Sequence, residues 1–273
     1  MMGRDTPDSE SVYIKKGNFA VFNQLGVKLD FKDSTSDEEY YQWLDGMTKI
    51  IGGLVPGAEI AEKSYARTEP RLNTGVYYDT EDYRLLKSGM VLRTTCNIKT
   101  HAFCAFKLDE NNEHIRQDHR YVFEGDAKET IQRDPTSPEA IAYVKEMLAR
   151  TDIEHPGTHL KELTGIIGED LSPALCIKQY RHPFFVWIDK HDALRCSMDR
   201  VSTYNLRQRQ NILATFSEIE LPIYPHVEDI VVNDPRLHEL IQVLTDSLKE
   251  HFGIKLIADS KYQRAAKILH IIE

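Results

Sequence analysis

Glu218 and Glu220 stand two residues apart in the run Thr215-Phe216-Ser217-Glu218-Ile219-Glu220-Leu221. The run reads as a β-strand, because Phe216, Ile219 and Leu221 suit a pleated, half-buried surface. Side chains two apart on a strand share a face, so both carboxylates point the same way. Like charges that close repel unless a divalent cation, or a ring of Lys and Arg, sits between or opposite them. An exposed strand face that is merely acidic would look the same in isolation. What separates the two cases is the number of other segments with ionised or polar residues that would share that face. These are Lys28, Asp30 and Lys32; Arg93 and Thr95; Lys107; Arg116, Asp118 and Arg120; Arg181; and Arg195 and Asp199.

Clustered Lys and Arg match phosphate oxygens, Arg with bidentate geometry. Carboxylates match Mg²⁺ or Mn²⁺, which prefer oxygen ligands. The two sets together fit a polyphosphate chain with its metal ions, the metal polarising a phosphoryl oxygen or activating a water. The competing arrangement is an open sheet whose mixed-charge solvent face carries weak surface ion pairs.

The elements that must position these residues are mostly strands. Residues 26–32 alternate Val27, Leu29 and Phe31 with Lys28, Asp30 and Lys32. Further strands are expected over 59–80 with a break near Pro70, 90–96, 102–108, 114–124, 175–189, 194–204 and 215–221. Helices are expected over 36–54, opened by a Ser36/Glu39 capping box, over 137–149, 158–168 and 234–252. The expected fold is therefore mainly β (α+β): an eight-stranded antiparallel β-barrel tunnel with a charged interior and helices packed on the outside. Strand parity gives a check. If Arg93, Lys107, Arg181 and Asp199 point inward, then Cys96, Cys104, Cys176 and Cys196 all point outward, as free thiols in an apolar layer.

Composition bounds the function. The 273-residue chain carries a formal charge of −9, which disfavours non-specific nucleic-acid binding. No signal peptide and no apolar run long enough to span a bilayer is visible, so a cytoplasmic protein with no membrane partner is expected. The four cysteines form no C-x-x-C pair. Residues 1–12 read as a disordered N-terminus and 13–273 as a single domain.

In order and spacing, several segments resemble the CYTH domain, or triphosphate tunnel metalloenzyme, family. Tyr77-Tyr78-Asp79-Thr80 followed by Leu92-Arg93 is similar to its "YYDT … LR" segment, Ala105-Phe106-Lys107 to its "T-L-K", and Arg116-x-Asp118 to its "R-x-E". Arg181 stands at a basic strand position, Asp199 at an inward Asp, Glu218-x-Glu220 at "x-E-x-E", and Ser260-Lys261-Tyr262 at the closing "S-K". The resemblance covers roughly residues 26 to 265. It implies an eight-stranded tunnel that binds a small-molecule triphosphate or polyphosphate with Mg²⁺ or Mn²⁺. It also implies a metal-dependent triphosphatase acting on inorganic tripolyphosphate, a nucleoside triphosphate or thiamine triphosphate; some members are adenylyl cyclases. On that pattern Lys32, Arg93, Lys107, Arg116, Arg181 and Lys261 bind phosphates. Glu218 and Glu220, with Asp199 and Asp30, hold the metal, and a metal-bound water attacks. One departure stands out. The family's first strand is E-x-E-x-K, and here it is Lys28-x-Asp30-x-Lys32. The second Arg of "L-R-x-R" is Thr95. A cation in place of a metal-side carboxylate weakens or relocates metal binding, so a phosphate-binding module without turnover is the alternative.

Overall fold

The computed structural model describes residues 14–62, 67–110, 115–208, 213–223 and 234–273. Ten strands form one antiparallel sheet: β1 (Ile14–Lys16), β2 (Phe19–Phe31), β3 (Ala58–Ala61), β4 (Arg71–Asp79), β5 (Val91–Asn97), β6 (Ala102–Glu110), β7 (Ile115–Val122), β8 (Ser172–Ile188), β9 (His191–Asn205) and β10 (Ala214–Ile223). Among the described residues the α-helices are α1 (Asp37–Leu54), α2 (Arg84–Lys87), α3 (Gly125–Arg133), α4 (Pro138–Ala149), α5 (Pro156–Thr164), α6 (Pro235–Phe252) and α7 (Lys261–Ile268). None is long and apolar enough to cross a membrane.

Eight strands pair in the order β2-β10-β9-β8-β4-β5-β6-β7, with β1 and β3 as short additions beside β2 and β8. The pairings return to β2, which uses different halves for its two neighbours. Phe19 to Gln24 pair with β7, and Leu25 to Phe31 pair with β10. The strand read from sequence over 26–32 is thus the second half of a 13-residue strand. Gly26 sits where the partner changes, opposite Pro222, and a Cβ there would lie 2.7 Å from the Pro222 Cα. Only glycine allows the two backbones to come so close.

The segment 59–80 divides into β3 and β4. The β8–β9 hairpin turns at Asp189 and Lys190, both at positive φ, as a tight two-residue hairpin turn requires. The Ser36/Glu39 capping box opens α1 as its sequence predicts: the Ser36 Oγ accepts from the Glu39 amide, and the Glu39 carboxylate accepts from the Ser36 amide. Helix α5 is shorter than the segment 158–168, because Gly165 at φ 72° stops it. Helix α3 was not expected: Ile131 is its one buried apolar residue, too little for a periodic stripe.

Directly paired residues share a face, and the register carries one parity across the whole sheet. Asp30 pairs with Glu218, Glu218 with Asp199, and Asp199 with Arg181. Tyr77 pairs with both Leu175 and Arg93, Arg93 with Ala105, Lys107 with Asp118, and Arg120 with both Ala105 and Ala20. All of these lie on the inner face. All four cysteines fall on the outer face and are buried free thiols, as parity predicts.

The outer face makes two apolar cores. Under α1 and α6, Leu29, Phe31, Phe184, Val186, Met198, Ile219 and Leu221 pack against Tyr40, Trp43, Leu44, Leu240 and Leu244. Under α3, α4 and α5, Val76, Leu92, Cys104 and Phe106 pack against Ile131, Val144 and Leu160. A third core lies on the inner face. Tyr77, Val91, Leu175, Ile177, Val201 and Phe216 enclose Tyr262, Ala265, Ala266 and Leu269. The last helix, α7, is therefore seated against the inside of the sheet, while the other long helices cover its outside.

Candidate functional site

The carboxylates are brought together by two adjacent strands. Glu218 and Glu220 on β10 and Asp199 on β9 each offer an oxygen within 4.8 Å of the others. Asp199 and Glu218 are fully buried. A buried carboxylate survives ionised only when paired, and each is. Arg181, from β8, donates Nε to Asp199 Oδ1 at 2.8 Å and Nη2 to Glu220 Oε2 at 2.6 Å and Ser197 Oγ at 2.9 Å. Arg264, from α7, donates to Glu218 Oε2 at 3.0 Å and Asp30 Oδ1 at 2.5 Å, with its guanidinium over the Phe216 ring.

Lys261, the first residue of α7, supplies the centre. Its Nζ lies 2.5 Å from Glu218 Oε1, 2.7 Å from Glu220 Oε1 and 3.0 Å from Asp199 Oδ2. Burial raises the cost of the Glu220 charge, but Lys261, Arg181 and Lys28 together hold its pKa well below the ordinary range. Burial likewise opposes the Lys261 charge, and the three carboxylates outweigh it and raise its pKa. The donor set suits a hard divalent cation, since it presents one oxygen from each of three carboxylates; in this arrangement an ammonium takes all three. Lys28 pairs directly with Glu220, so the departure in the first strand adds a positive charge to this same wall.

The opposite wall, from β5, β6 and β7, is basic around one acid. Asp118 Oδ2 accepts from Lys107 Nζ at 2.9 Å and Arg120 Nη2 at 3.0 Å, and Oδ1 is buried without a hydrogen-bond partner. Burial lowers the Lys107 pKa to about 8: Asp118 opposes this, and the neighbouring Arg93 and Arg120 add to it. Arg93 donates Nη1 to the Tyr77 hydroxyl at 3.0 Å. Burial works against its charge, and Tyr77, Asp118 and Glu220 more than compensate.

The expected site residues divide as follows. Asp199, Glu218, Glu220, Arg181 and Lys261 form one contact network, with Asp30 joined through Arg264 at a more exposed rim. Lys107 and Arg93 lie on the facing wall. Lys32 is exposed one residue past β2, its ammonium near Gly253 at the end of α6, and among the described residues no hydrogen bond or ion pair joins it to the cluster. Arg116 pairs by backbone with Gln24 and Asp109, and its side chain lies outside the described residues.

Sequence reasoning missed Arg264. It lies three residues after Lys261 on one helix face, and the Ser260/Gln263 capping box that opens α7 was the available signal. It also missed why Asp79 and Tyr262 are present. Asp79 accepts from the Leu85 and Leu86 amides and from the Tyr262 hydroxyl, tying α7 to α2 at the edge of the site.

No protein-family model and no curated protein matches the chain by sequence. Solved structures do match. A Bacillus halodurans protein described as a "putative adenylate cyclase" superposes with a TM-score of 0.50 at 13% identity, over 89% of this chain and 97% of its own. A Hippeastrum protein, described as a "putative adenylyl cyclase" with a dominant triphosphatase activity, gives 0.49 at 14% identity, over 90% and 96%. At such identities the likeness is one of fold. That fold is the CYTH-type fold of the triphosphate tunnel proteins.

Proposed function

We propose that the inner face binds the triphosphate group of a small molecule and hydrolyses a phosphoanhydride bond with the help of Mg²⁺ or Mn²⁺. The observation that carries this reading is the pair of facing walls: three carboxylates on β9 and β10, two of them fully buried, and Arg93, Lys107 and Arg120 on β5 to β7. Glu218, Glu220 and Asp199, with Asp30 at the rim, are the metal-holding set, and the metal would supply charge stabilisation and an activated water. Arg93, Lys107, Arg181 and Lys261 are the phosphate-binding set. Lys32 and Arg116 belong to it on the sequence pattern alone. Glu218 and Glu220 position the attacking water.

A second reading, an anion-binding module without turnover, is favoured by Lys28 opposite Glu220 and by the ammonium among the carboxylates. The test is phosphate release from tripolyphosphate, ATP and thiamine triphosphate, each with Mg²⁺, Mn²⁺ or EDTA. Metal-dependent release of orthophosphate is expected. Thermal stabilisation by these compounds without release supports the binding module instead. Cyclic nucleotide with pyrophosphate from ATP identifies a cyclase.

A further inference from the structure

We infer that Lys261 is a built-in competitor for the metal: its ammonium closes the carboxylate cluster until a triphosphate draws it away, so that the divalent cation binds with the triphosphate and not before it. This rests on the proposed function and adds the order of binding.

The division of the carboxylate oxygens points to it. The arginines approach from the sides and take Asp199 Oδ1, Glu220 Oε2 and Glu218 Oε2. The oxygens left over are Asp199 Oδ2, Glu220 Oε1 and Glu218 Oε1, and these are the three that Lys261 contacts. A metal held by this trio needs the same oxygens. The charges point the same way. Four carboxylates (Asp30, Asp199, Glu218 and Glu220) meet four cations (Lys28, Arg181, Lys261 and Arg264), so the network is neutral. A divalent cation added to a neutral, buried network leaves two uncompensated positive charges in a poorly solvated place. With Lys261 withdrawn, the network is acidic and can take the metal.

Lys261 is the cation free to leave. Arg181 and Arg264 are fixed by planar forks that each span two acids. Lys261 is a point charge on a flexible four-carbon stem. Its backbone stays in place, because the Ser260/Gln263 capping box and the apolar seat of Tyr262, Ala265 and Ala266 hold α7. A triphosphate arriving between the walls offers Lys261 new oxygens and brings the negative charge that both the ammonium and the metal require.

The test is Mn²⁺ binding to the purified chain without any triphosphate, read from the spin-resonance signal of free Mn²⁺, for wild type, Lys261→Met and Lys261→Met/Glu218→Gln. Lys261→Met is expected to bind one Mn²⁺ at least tenfold more tightly than wild type, and the added Glu218→Gln to remove that gain. Equally tight binding by wild type and Lys261→Met overturns the competition and leaves the hydrolase reading standing. No binding by either overturns the competition and the metal-holding role together. Should Lys261→Met fail to fold, wild type alone decides through its melting temperature with Mn²⁺, with tripolyphosphate and with both. Mn²⁺ is expected to add stability only when tripolyphosphate is present, and a rise with Mn²⁺ alone equal to that with both overturns the proposal.

Discussion

The rings of Tyr77 and Tyr262 stack with centroids 4.9 Å apart, and the Tyr262 hydroxyl donates to Asp79 at 2.9 Å. Through this contact β4 holds the start of α7, and with it Lys261, against the inner face. Tyr262→Ala removes a fully buried ring and its hydrogen bond, with an expected loss of about 3–5 kcal/mol. Tyr262→Phe keeps the stack and loses about 1 kcal/mol. Urea unfolding of the two variants measures the difference, and equal losses would show that the ring contributes nothing beyond its hydroxyl.

Glu218, proposed as a metal-holding residue, also anchors the fold through Lys261 and Arg264. Glu218→Gln takes away the charge shared by Lys261 and Arg264, and breaking a buried network from one side costs about 3 kcal/mol. Metal-dependent phosphate release is expected to vanish in this variant and in Glu220→Gln, while circular dichroism stays native at 25 °C. Undiminished release from the double variant would remove both residues from the proposed mechanism.

On the proposed function, Lys107 makes anion binding pH-dependent. Its pKa in the folded protein is about 8, lowered chiefly by burial. Above that pH the side chain is neutral and no longer attracts phosphate. Tripolyphosphate affinity is therefore expected to fall as pH rises through about 8, whereas Lys107→Arg, charged at every pH used, keeps its affinity to pH 9.5. Calorimetric titration at pH 7 and pH 9.5 decides, and identical wild-type affinities would refute the role.

His119 gives the fold an acid-sensitive joint on the outer face. Burial, then the His159 ring 4.2 Å away, lowers its pKa to about 4, against about 6.5 unfolded. Between those values the unfolded chain binds more protons than the folded one, so stability falls as pH drops through 6.5 and the loss is complete below about 4. The full effect is at most about 3 kcal/mol. Urea midpoints at pH 7 and pH 4.5 are expected to lie closer together in His119→Phe than in wild type. An unchanged gap would assign the acid sensitivity to other groups.

Gly26 tests the close approach of β2 and β10. A methyl group there meets the Pro222 backbone at 2.7 Å, so Gly26→Ala forces β2 and β10 apart. A loss of about 1–3 kcal/mol is expected, against a gain of about 0.5–1 kcal/mol for Gly46→Ala, an exposed mid-helix position of α1 where a Cβ meets nothing within 4 Å. Comparable melting temperatures for the two variants would mean that the close approach carries no structural weight.

Much of the molecule was legible in the chain because it depends on local periodicity. Alternation in Val27-Lys28-Leu29-Asp30-Phe31 and spacing in Glu218-Ile219-Glu220 fix which side chains share a face, whatever the strands pair with. That is why the inward ionised set and the outward cysteines were predicted together. The Ser36/Glu39 box and the Leu237–Leu248 stripe placed α1 and α6 for the same reason. What the chain did not show on its own depends on contacts between distant segments. Lys261 and Glu218 are 43 positions apart in the numbering, and only the seating of α7 on the inner face of the sheet puts an ammonium on the oxygens a metal would use. Helix α7 itself is eight residues long, too short to form on propensity alone, and it exists because Tyr262, Ala265 and Ala266 bury against inner-face residues drawn from β4, β5, β8, β9 and β10. Residue types and parity determined which groups this protein turns inward. The pairing of distant strands and the docking of the last helix decided which charges meet.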